Sequence, residues 1–128
     1  MSYSGLVIAV DFDGTCVTHE YPFLGDDVGA VPVLRELVEH GHRIILYTMR
    51  SGKLEKEARE WFKANNIPLY DINHNPEQRQ WTKSVKVHAD LYIDDSALGV
   101  PLKRTPTTGR PFVDWERVRE MLVKEGFL

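Results

Sequence analysis

A short, uninterrupted apolar segment near the N-terminus is the feature that most constrains the fold of this chain. Residues 6–10 are rich in β-branched side chains, and they are followed at once by Asp11-Phe12-Asp13-Gly14-Thr15. An apolar run without alternation is typical of a strand that is buried on both faces, as the central strands of parallel sheets are. The sequence therefore predicts a buried first strand with a polar turn at its carboxyl end.

Helical and strand patterns alternate through the rest of the chain. The predicted segments are, in order, a helix over 31–40, a strand over 42–47, a helix beginning after Gly52, a strand over 69–72, a polar loop or short broken helix over 73–84, a strand over 89–93 and a helix over 115–122. This alternation favours a mainly parallel sheet with right-handed crossovers. We therefore expect an α/β chain with a three-layer, Rossmann-like fold and helices on both faces of the sheet.

The length, charge and cysteine content of the chain exclude several classes of protein. The chain has 128 residues, of which 42% are hydrophobic, so we expect one domain over 1–128. The formal charge of −3 argues against a strongly basic nucleic-acid binder and leaves nucleic acid only as a substrate. The single cysteine, Cys16, excludes an intrachain disulfide. The apolar N-terminal run is too short for a signal peptide or a membrane span, so we expect a cytoplasmic protein without a membrane partner, of undetermined oligomeric state.

Six polar residues that are far apart in the sequence follow the ends of predicted strands. They are Asp11, Asp13, Thr48, Arg50, Asp94 and Asp95. Ligands of parallel sheets bind at the carboxyl ends of the strands, so we expect these side chains to converge there. Four carboxylates on one rim repel each other unless a cation neutralises them, and ligand sets made only of oxygen favour Mg²⁺ over zinc. The sequence therefore predicts a Mg²⁺ site formed by Asp11, Asp13, Asp94 and Asp95.

Such a site would bring a phosphate next to a carboxylate nucleophile. Asp11 could form an aspartyl-phosphate intermediate, and Asp13 could protonate the leaving group and then activate water. Thr48, a lysine and the backbone N–H groups around residues 12–15 would hold the phosphoryl oxygens. Gly14 is expected where the backbone turns tightly beside the ligand.

Three motifs in this chain resemble those of the haloacid dehalogenase (HAD) superfamily. Asp11-Phe12-Asp13-Gly14-Thr15 is similar to the first motif, Leu46-Tyr47-Thr48 to the second and Tyr92-Ile93-Asp94-Asp95 to the fourth, and they occur in the family's order. Members of this superfamily are mostly Mg²⁺-dependent phosphohydrolases with an aspartate nucleophile. The resemblance implies that Asp11 is that nucleophile and that Gly14, Thr15 and Arg50 bind substrate.

The lysine of the third motif has two candidates in this chain, Lys83 and Lys86. We prefer Lys86 as the catalytic lysine, because the segment from Ser84 through Lys86 to the paired acids resembles that of small HAD proteins of bacteria and phage. Many of those relatives carry a basic residue directly after the paired acids, where this chain has Ser96.

The spacing of the motifs leaves no room for a large cap domain. Only a short flap, at about residues 16–30, separates the first motif from the next helix. It contains His19, Glu20 and Tyr21, which could contact substrate, although a lone histidine in a polar loop is more often solvated. An open site favours a large substrate, such as a nucleic-acid end or a phosphoprotein, or a cap supplied by a partner subunit. Polynucleotide 3′-phosphatase domains resemble this chain in the Ile-Asp-Asp sequence and in the arginine of the second motif, although the acidic charge argues against that substrate.

The sequence is compatible with three hypotheses about the function of the protein. The leading hypothesis is a Mg²⁺-dependent phosphatase that hydrolyses a phosphomonoester, on a small molecule or on the end of a macromolecule. A HAD fold that has lost turnover and serves as a binding or regulatory module is the alternative. A signalling receiver domain shares the acidic pocket, Thr and Lys, but there the acidic pair comes first in the chain, whereas here Asp94 and Asp95 come last.

Overall fold

A four-stranded parallel sheet forms the centre of the computed structural model, which describes residues 5–107 and 109–128. The strands are β1 (Val7–Val10), β2 (Arg43–Leu46), β3 (Leu69–Ile72) and β4 (Leu91–Ile93), and they lie side by side in the order β3-β2-β1-β4. The apolar run after the N-terminus is thus an inner strand, with β2 on one side and β4 on the other. This confirms the prediction of a buried first strand.

Three helices and a small hairpin complete the described chain. They are α1 (Ala30–Glu39), α2 (Gly52–Ala64), α3 (Trp115–Lys124) and the antiparallel pair of β5 (Leu102–Lys103) and β6 (Phe112–Val113). The predicted helices match these bounds to within a few residues. The hairpin was not predicted, because two-residue strands are too short to show an alternating pattern. None of the helices among the described residues is long and apolar enough to cross a bilayer.

All three helices pack against the same face of the sheet. Ile8 and Val10 of β1 belong to the core on this face, and the alternation of side chains along a strand places Ile44 and Leu46 of β2 beside them. The helices contribute to this core Ala30, Val33, Leu34, Leu37, Ala58, Phe62, Trp115, Val118 and Leu122. The structure therefore differs from the expectation of helices on both faces.

A loop covers the second face of the sheet. Val7 and Ala9 of β1 pack there with Val87 and Ala89, which belong to the segment 73–90 between β3 and β4. This segment has no helical apolar periodicity, and it contains only a 3₁₀ turn at Gln78–Gln80. Hydrogen bonds from buried amide side chains stabilise the conformation of this segment instead.

Two buried side chains organise the loop 73–90. Gln78 donates to the carbonyls of Ser84 and Lys86 at 3.0 and 2.9 Å, and its amide oxygen accepts from the N–H of His88 at 2.8 Å. Asn75 donates to the carbonyl of His88 at 3.0 Å. Side-chain amides thus satisfy backbone groups that helix or strand partners would satisfy elsewhere.

Candidate functional site

A cavity of about 300 Å³ opens at the carboxyl ends of the parallel strands. Its lining residues come from four parts of the chain: Asp11, Asp13, His19, Tyr21, Thr48, Met49, Arg50, Asp94, Asp95, Ser96 and Arg110. All six polar residues predicted to converge are among them, although they are spread from position 11 to position 95 of the sequence. The flap contributes His19 and Tyr21.

Backbone hydrogen bonds that continue past the strands align the residues at the strand ends. The N–H of Asp11 donates to the carbonyl of Ile93 in β4 at 2.9 Å, and the N–H of Tyr47 donates to the carbonyl of Val10 in β1 at 2.8 Å. The residues that follow β1, β2 and β4 therefore leave the sheet side by side. The register of the sheet, rather than contacts among the acids, brings them together.

Three carboxylates form the acidic centre of the cavity. Asp11, Asp94 and Asp95 each offer an oxygen, and these atoms lie within 4.8 Å of one another. Burial, together with the hydrogen bond to Asp95 and the charge of Asp94, raises the pKa of Asp11 to about 8. Burial is also the largest cause that raises the pKa of Asp94. A bound cation would offset the repulsion among the three carboxylates when they are ionised.

This donor set fits a hard divalent cation. The ligand atoms are carboxylate oxygens, which Mg²⁺ and Ca²⁺ prefer, and neither a histidine nor a thiolate belongs to the group. Mg²⁺ is commonly held by one or two carboxylates with water and phosphate oxygens in the remaining positions. Asp11, Asp94 and Asp95 are thus the residues that could hold the metal. The carboxylate of Asp13, which the sequence also assigned to the metal, is not part of this group.

Asp13 is instead paired with a buried arginine. Arg50 Nε and Nη2 donate to the two carboxylate oxygens of Asp13, each at 2.8 Å, and the side chain of Arg50 has no exposed surface. Arg50 Nη2 also donates to the carbonyl of Phe23 in the flap at 2.9 Å. Hydrogen bonding of Arg50 to the Asp13 carboxylate, which accepts from it, is the main cause that raises the pKa of Arg50. Arg50 was expected to bind substrate. In the structure its guanidinium donates to groups within the protein instead.

Thr15 connects the first motif to the last. Its hydroxyl donates to Asp11 Oδ2 at 2.8 Å and accepts from the N–H of Asp95 at 3.0 Å, and the residue is fully buried. The structure thus places Thr15 beneath the cavity, where it orients Asp11. This role differs from the direct substrate contact that the resemblance implied.

Gly14 allows the first motif to approach the last. Its φ of +81° lies in the left-handed region, and a Cβ atom at this position would lie 2.4 Å from Asp95 Oδ2. Both observations favour glycine at this position. Gly14 therefore shapes the site without lining the cavity.

The backbone of the first motif is only partly free to bind an anion. The N–H of Gly14 donates to the carbonyl of Val17 at 2.8 Å, and the N–H of Thr15 donates to the carbonyl of Phe12 at 3.1 Å. Among the described residues, the N–H groups of Phe12 and Asp13 have no such partner. These two are the backbone donors that remain for phosphoryl oxygens.

A side-chain amide that sequence reasoning missed fixes Thr48. Asn73 Oδ1 accepts from the N–H of Thr48 at 2.8 Å, and Asn73 Nδ2 donates to the carbonyl of Thr48 at 2.9 Å. Asn73 directly follows β3 and has a φ of +52°, a conformation that asparagine tolerates better than most residues. An asparagine directly after a predicted strand was the only sequence signal for this role.

Neither candidate lysine lines the cavity. Lys86 is exposed, and its Nζ lies 6.0 Å from the centroid of the Tyr92 ring, while Lys83 lines a separate cavity formed by the loop 73–90. The choice of Lys86 as the catalytic lysine stays a prediction. Cys16 is buried in the core.

The C-terminal part of the chain contributes two further residues that sequence reasoning missed. Trp115, the first residue of α3, packs in the core, and its indole Nε1 donates to the carbonyl of Thr15 at 2.6 Å. Arg110, from the segment between β5 and β6, lines the cavity. A single arginine in a segment punctuated by Gly and Pro shows no pattern that could have identified it.

Comparisons with known proteins identify one relative of known structure. No protein-family model matches the chain, and none of the curated proteins does. A solved structure of a conserved protein coded by a locus from Bacteroides thetaiotaomicron is similar, with 38% sequence identity and a TM-score of 0.78, over 95% of this chain and 93% of that one. The description of that protein states no activity. At this identity and coverage, the chain belongs to the same protein family as the conserved protein from Bacteroides thetaiotaomicron.

Proposed function

We propose that this protein is a Mg²⁺-dependent phosphomonoester hydrolase of the HAD superfamily, without a large cap domain, and that Asp11 is its nucleophile. The observation that carries the proposal is the cluster of Asp11, Asp94 and Asp95 at the carboxyl end of the central strands, with Thr48 on the same cavity. The order of the three motifs along the chain supports the same assignment. The metal supplies positive charge that neutralises the carboxylates and the phosphoryl oxygens.

In the first step, a carboxylate oxygen of Asp11 attacks the phosphorus atom of the ester. The new bond from this oxygen to phosphorus forms as the bond from phosphorus to the ester oxygen breaks, and the ester oxygen leaves with the electron pair. Asp13 delivers a proton to that oxygen, so an alcohol leaves and an aspartyl phosphate remains on Asp11. We assign Thr48, which lines the cavity, and the N–H groups of Phe12 and Asp13, which have no backbone partner among the described residues, as the donors that hold the phosphoryl oxygens.

In the second step, water hydrolyses the aspartyl phosphate. Asp13 takes a proton from the water, the water oxygen bonds to phosphorus, and the bond between phosphorus and Asp11 breaks. Inorganic phosphate leaves, the Asp11 carboxylate is restored, and Asp13 holds the proton needed for the next cycle. Thr15 keeps Asp11 in place throughout, because its hydroxyl donates to Asp11 Oδ2.

The pairing of Asp13 with Arg50 favours a second candidate function. Both carboxylate oxygens of Asp13 accept hydrogen bonds from Arg50, so both are already occupied by donors of the protein. For Asp13 to deliver a proton, one of these two bonds must be released. A protein in which they persist would bind Mg²⁺ and a phosphorylated ligand without turnover, as a binding or regulatory module.

Phosphate release from a panel of esters tests the proposal. The panel contains an aryl phosphate, sugar phosphates, nucleotides and a 3′-phosphorylated oligonucleotide, each with Mg²⁺ or with a chelator. We expect release by the wild type only with Mg²⁺, and no release by the Asp11→Asn variant, because an amide cannot act as the nucleophile. Asp26→Asn is the matched control, since Asp26 is an exposed residue of the flap and does not line the cavity.

The same assay separates the two candidate functions. Activity that persists in Asp11→Asn would contradict the nucleophile assignment. Mg²⁺ binding by the wild type, measured by calorimetry and lost in Asp11→Asn, without release from any ester, would favour the binding module instead.

A further inference from the structure

We propose that Arg110 is a substrate-binding residue that contacts the phosphoryl group, and that it supplies positive charge which neither Lys83 nor Lys86 brings to this cavity. The inference rests on the proposed phosphomonoesterase function. It assigns a role to the segment between β5 and β6, from which neither the motifs nor the resemblance named a residue.

The charged residues around the cavity point to Arg110. Four carboxylates line it, and the cations among its described lining residues are Arg50 and Arg110. Arg50 is buried and donates to Asp13 and to the carbonyl of Phe23. Arg110 is exposed, and within the described ranges it makes neither a hydrogen bond nor an ion pair. Its guanidinium is therefore available to a ligand.

The segment that carries Arg110 is tied to the loop that carries the nucleophile. The N–H of Val113 donates to the carbonyl of Gly14 at 3.0 Å, and the indole of Trp115 donates to the carbonyl of Thr15 at 2.6 Å. Arg110 lies three residues before Val113 in the sequence. These bonds place the base of the segment beside the first motif, and Arg110 lines the same cavity as Asp11.

The chemistry of arginine suits this position. A phosphate ester brings negative charge into a cavity that already holds four carboxylates, so a divalent cation alone leaves the site with an excess of negative charge. A guanidinium presents parallel N–H donors that match two phosphoryl oxygens, and it stays charged at every physiological pH. Charge of this kind stabilises the phosphoryl group in the transition state as well as in the bound ester.

Kinetics of four variants test the role of Arg110. Wild type, Arg110→Ala, Arg110→Lys and Arg104→Ala are compared with an aryl phosphate and Mg²⁺, and inorganic phosphate is added as a competitive inhibitor. Arg104→Ala is the matched control, because Arg104 is an exposed arginine of the same segment that does not line the cavity. Lys86→Ala is measured in parallel as the rival cation.

We expect Arg110→Ala to raise the KM for the ester and the Ki for inorganic phosphate by roughly 10- to 100-fold, the range of a charge-assisted hydrogen bond. Arg110→Lys should recover part of the loss, because it keeps the charge but not the paired donors. Arg104→Ala should match the wild type. A variant Arg110→Ala with unchanged KM and Ki would overturn the inference, as would a loss of phosphate inhibition in Lys86→Ala alone.

Calorimetry with inorganic phosphate and Mg²⁺ keeps this test separate from the proposed function. If the wild type hydrolyses no ester but binds phosphate, and Arg110→Ala binds it at least about 10-fold more weakly, the role of Arg110 stands while the hydrolase proposal fails. Equal binding by the two proteins, or no binding by the wild type, would overturn the inference.

Discussion

The acidic and the basic sides of this cavity are built in different ways. Asp11 and Asp94 directly follow strands of one sheet, and backbone hydrogen bonds between adjacent strands set their positions. The cations come from less regular parts of the chain. Arg50 reaches back from the turn before α2, Arg110 comes from the segment between β5 and β6, and Lys86 lies outside the cavity. The acids are thus fixed by the register of the sheet, and the cations by individual side-chain contacts.

The acidic side of the cavity tolerates little change where the first motif touches the last, at Gly14 and Asp95. We expect Gly14→Ala to give the largest effect, with phosphatase activity and Mg²⁺ affinity both lost. The added Cβ would lie 2.4 Å from Asp95 Oδ2, so the Asp95 carboxylate must shift from the position in which it faces Asp11 and Asp94. The left-handed backbone adds a cost of roughly 1–2 kcal/mol to the free energy of folding. Kinetics, calorimetry with Mg²⁺ and urea unfolding measure the three quantities.

Gly41→Ala is the control that isolates the contact with Asp95. Gly41 has a similar φ of +89°, but nothing lies within 4 Å of the position of its Cβ atom. This variant should lose a similar amount of stability from the backbone alone and keep its activity. If Gly14→Ala and Gly41→Ala show the same activity, the close approach of Gly14 to Asp95 has no role in the site.

The hydroxyl of Thr15 gives the next largest effect. In Thr15→Val, the N–H of Asp95 loses its acceptor and Asp11 loses a donor, while the shape of the side chain is kept. We expect the free energy of unfolding to fall by about 1–3 kcal/mol, the cost of leaving a buried polar group without a partner. We also expect kcat to fall, because Asp11 is no longer oriented.

The variant Thr15→Ser distinguishes the effect of the Thr15 hydroxyl from the effect of its methyl group. It keeps the hydrogen bonds, so it should retain kcat, although the loss of a buried methyl group lowers stability by about 1 kcal/mol. Urea unfolding and kinetics of both variants provide the test. A Thr15→Val variant with wild-type kcat would show that Thr15 supports the fold alone.

The acidic side of the site could be predicted from the sequence because local patterns determine it. An apolar run marks a buried strand, its last residue marks a strand end, and parallel strands bring their carboxyl ends together. These rules placed Asp11, Thr48 and Asp94 on one edge, and the structure brings all three to the same cavity. No knowledge of loop geometry was needed.

The remaining features depend on contacts between distant residues, which one sequence does not show. The pair of Asp13 and Arg50 and the bond from Trp115 to Thr15 join residues 37 and 100 positions apart. The loop 73–90 covers the second face of the sheet, where helices were expected, and its shape depends on the buried Gln78. Polar side chains in loops carry no periodicity, so neither the cover of this face nor the position of Arg110 could be predicted.

The charge of the acidic side itself changes the pH dependence of stability. The pKa of Asp11 is about 8 in the metal-free protein, against an ordinary value of 3.8, so folding favours the protonated carboxyl. This contribution to stability is complete below about pH 4, the range of an unperturbed aspartate, and it is lost as the pH rises towards 8. Mg²⁺ binds the carboxylate form, so its stabilising effect should increase from pH 6 to pH 8. Thermal unfolding with and without Mg²⁺ measures both trends, and Asp11→Asn should flatten them while Asp26→Asn keeps them. The contradicting outcome is a metal-free Tm that depends on pH in the same way in the wild type and in Asp11→Asn. It would show that bringing the three acids together at the strand ends does not make the ionisation of Asp11 unfavourable in the folded protein.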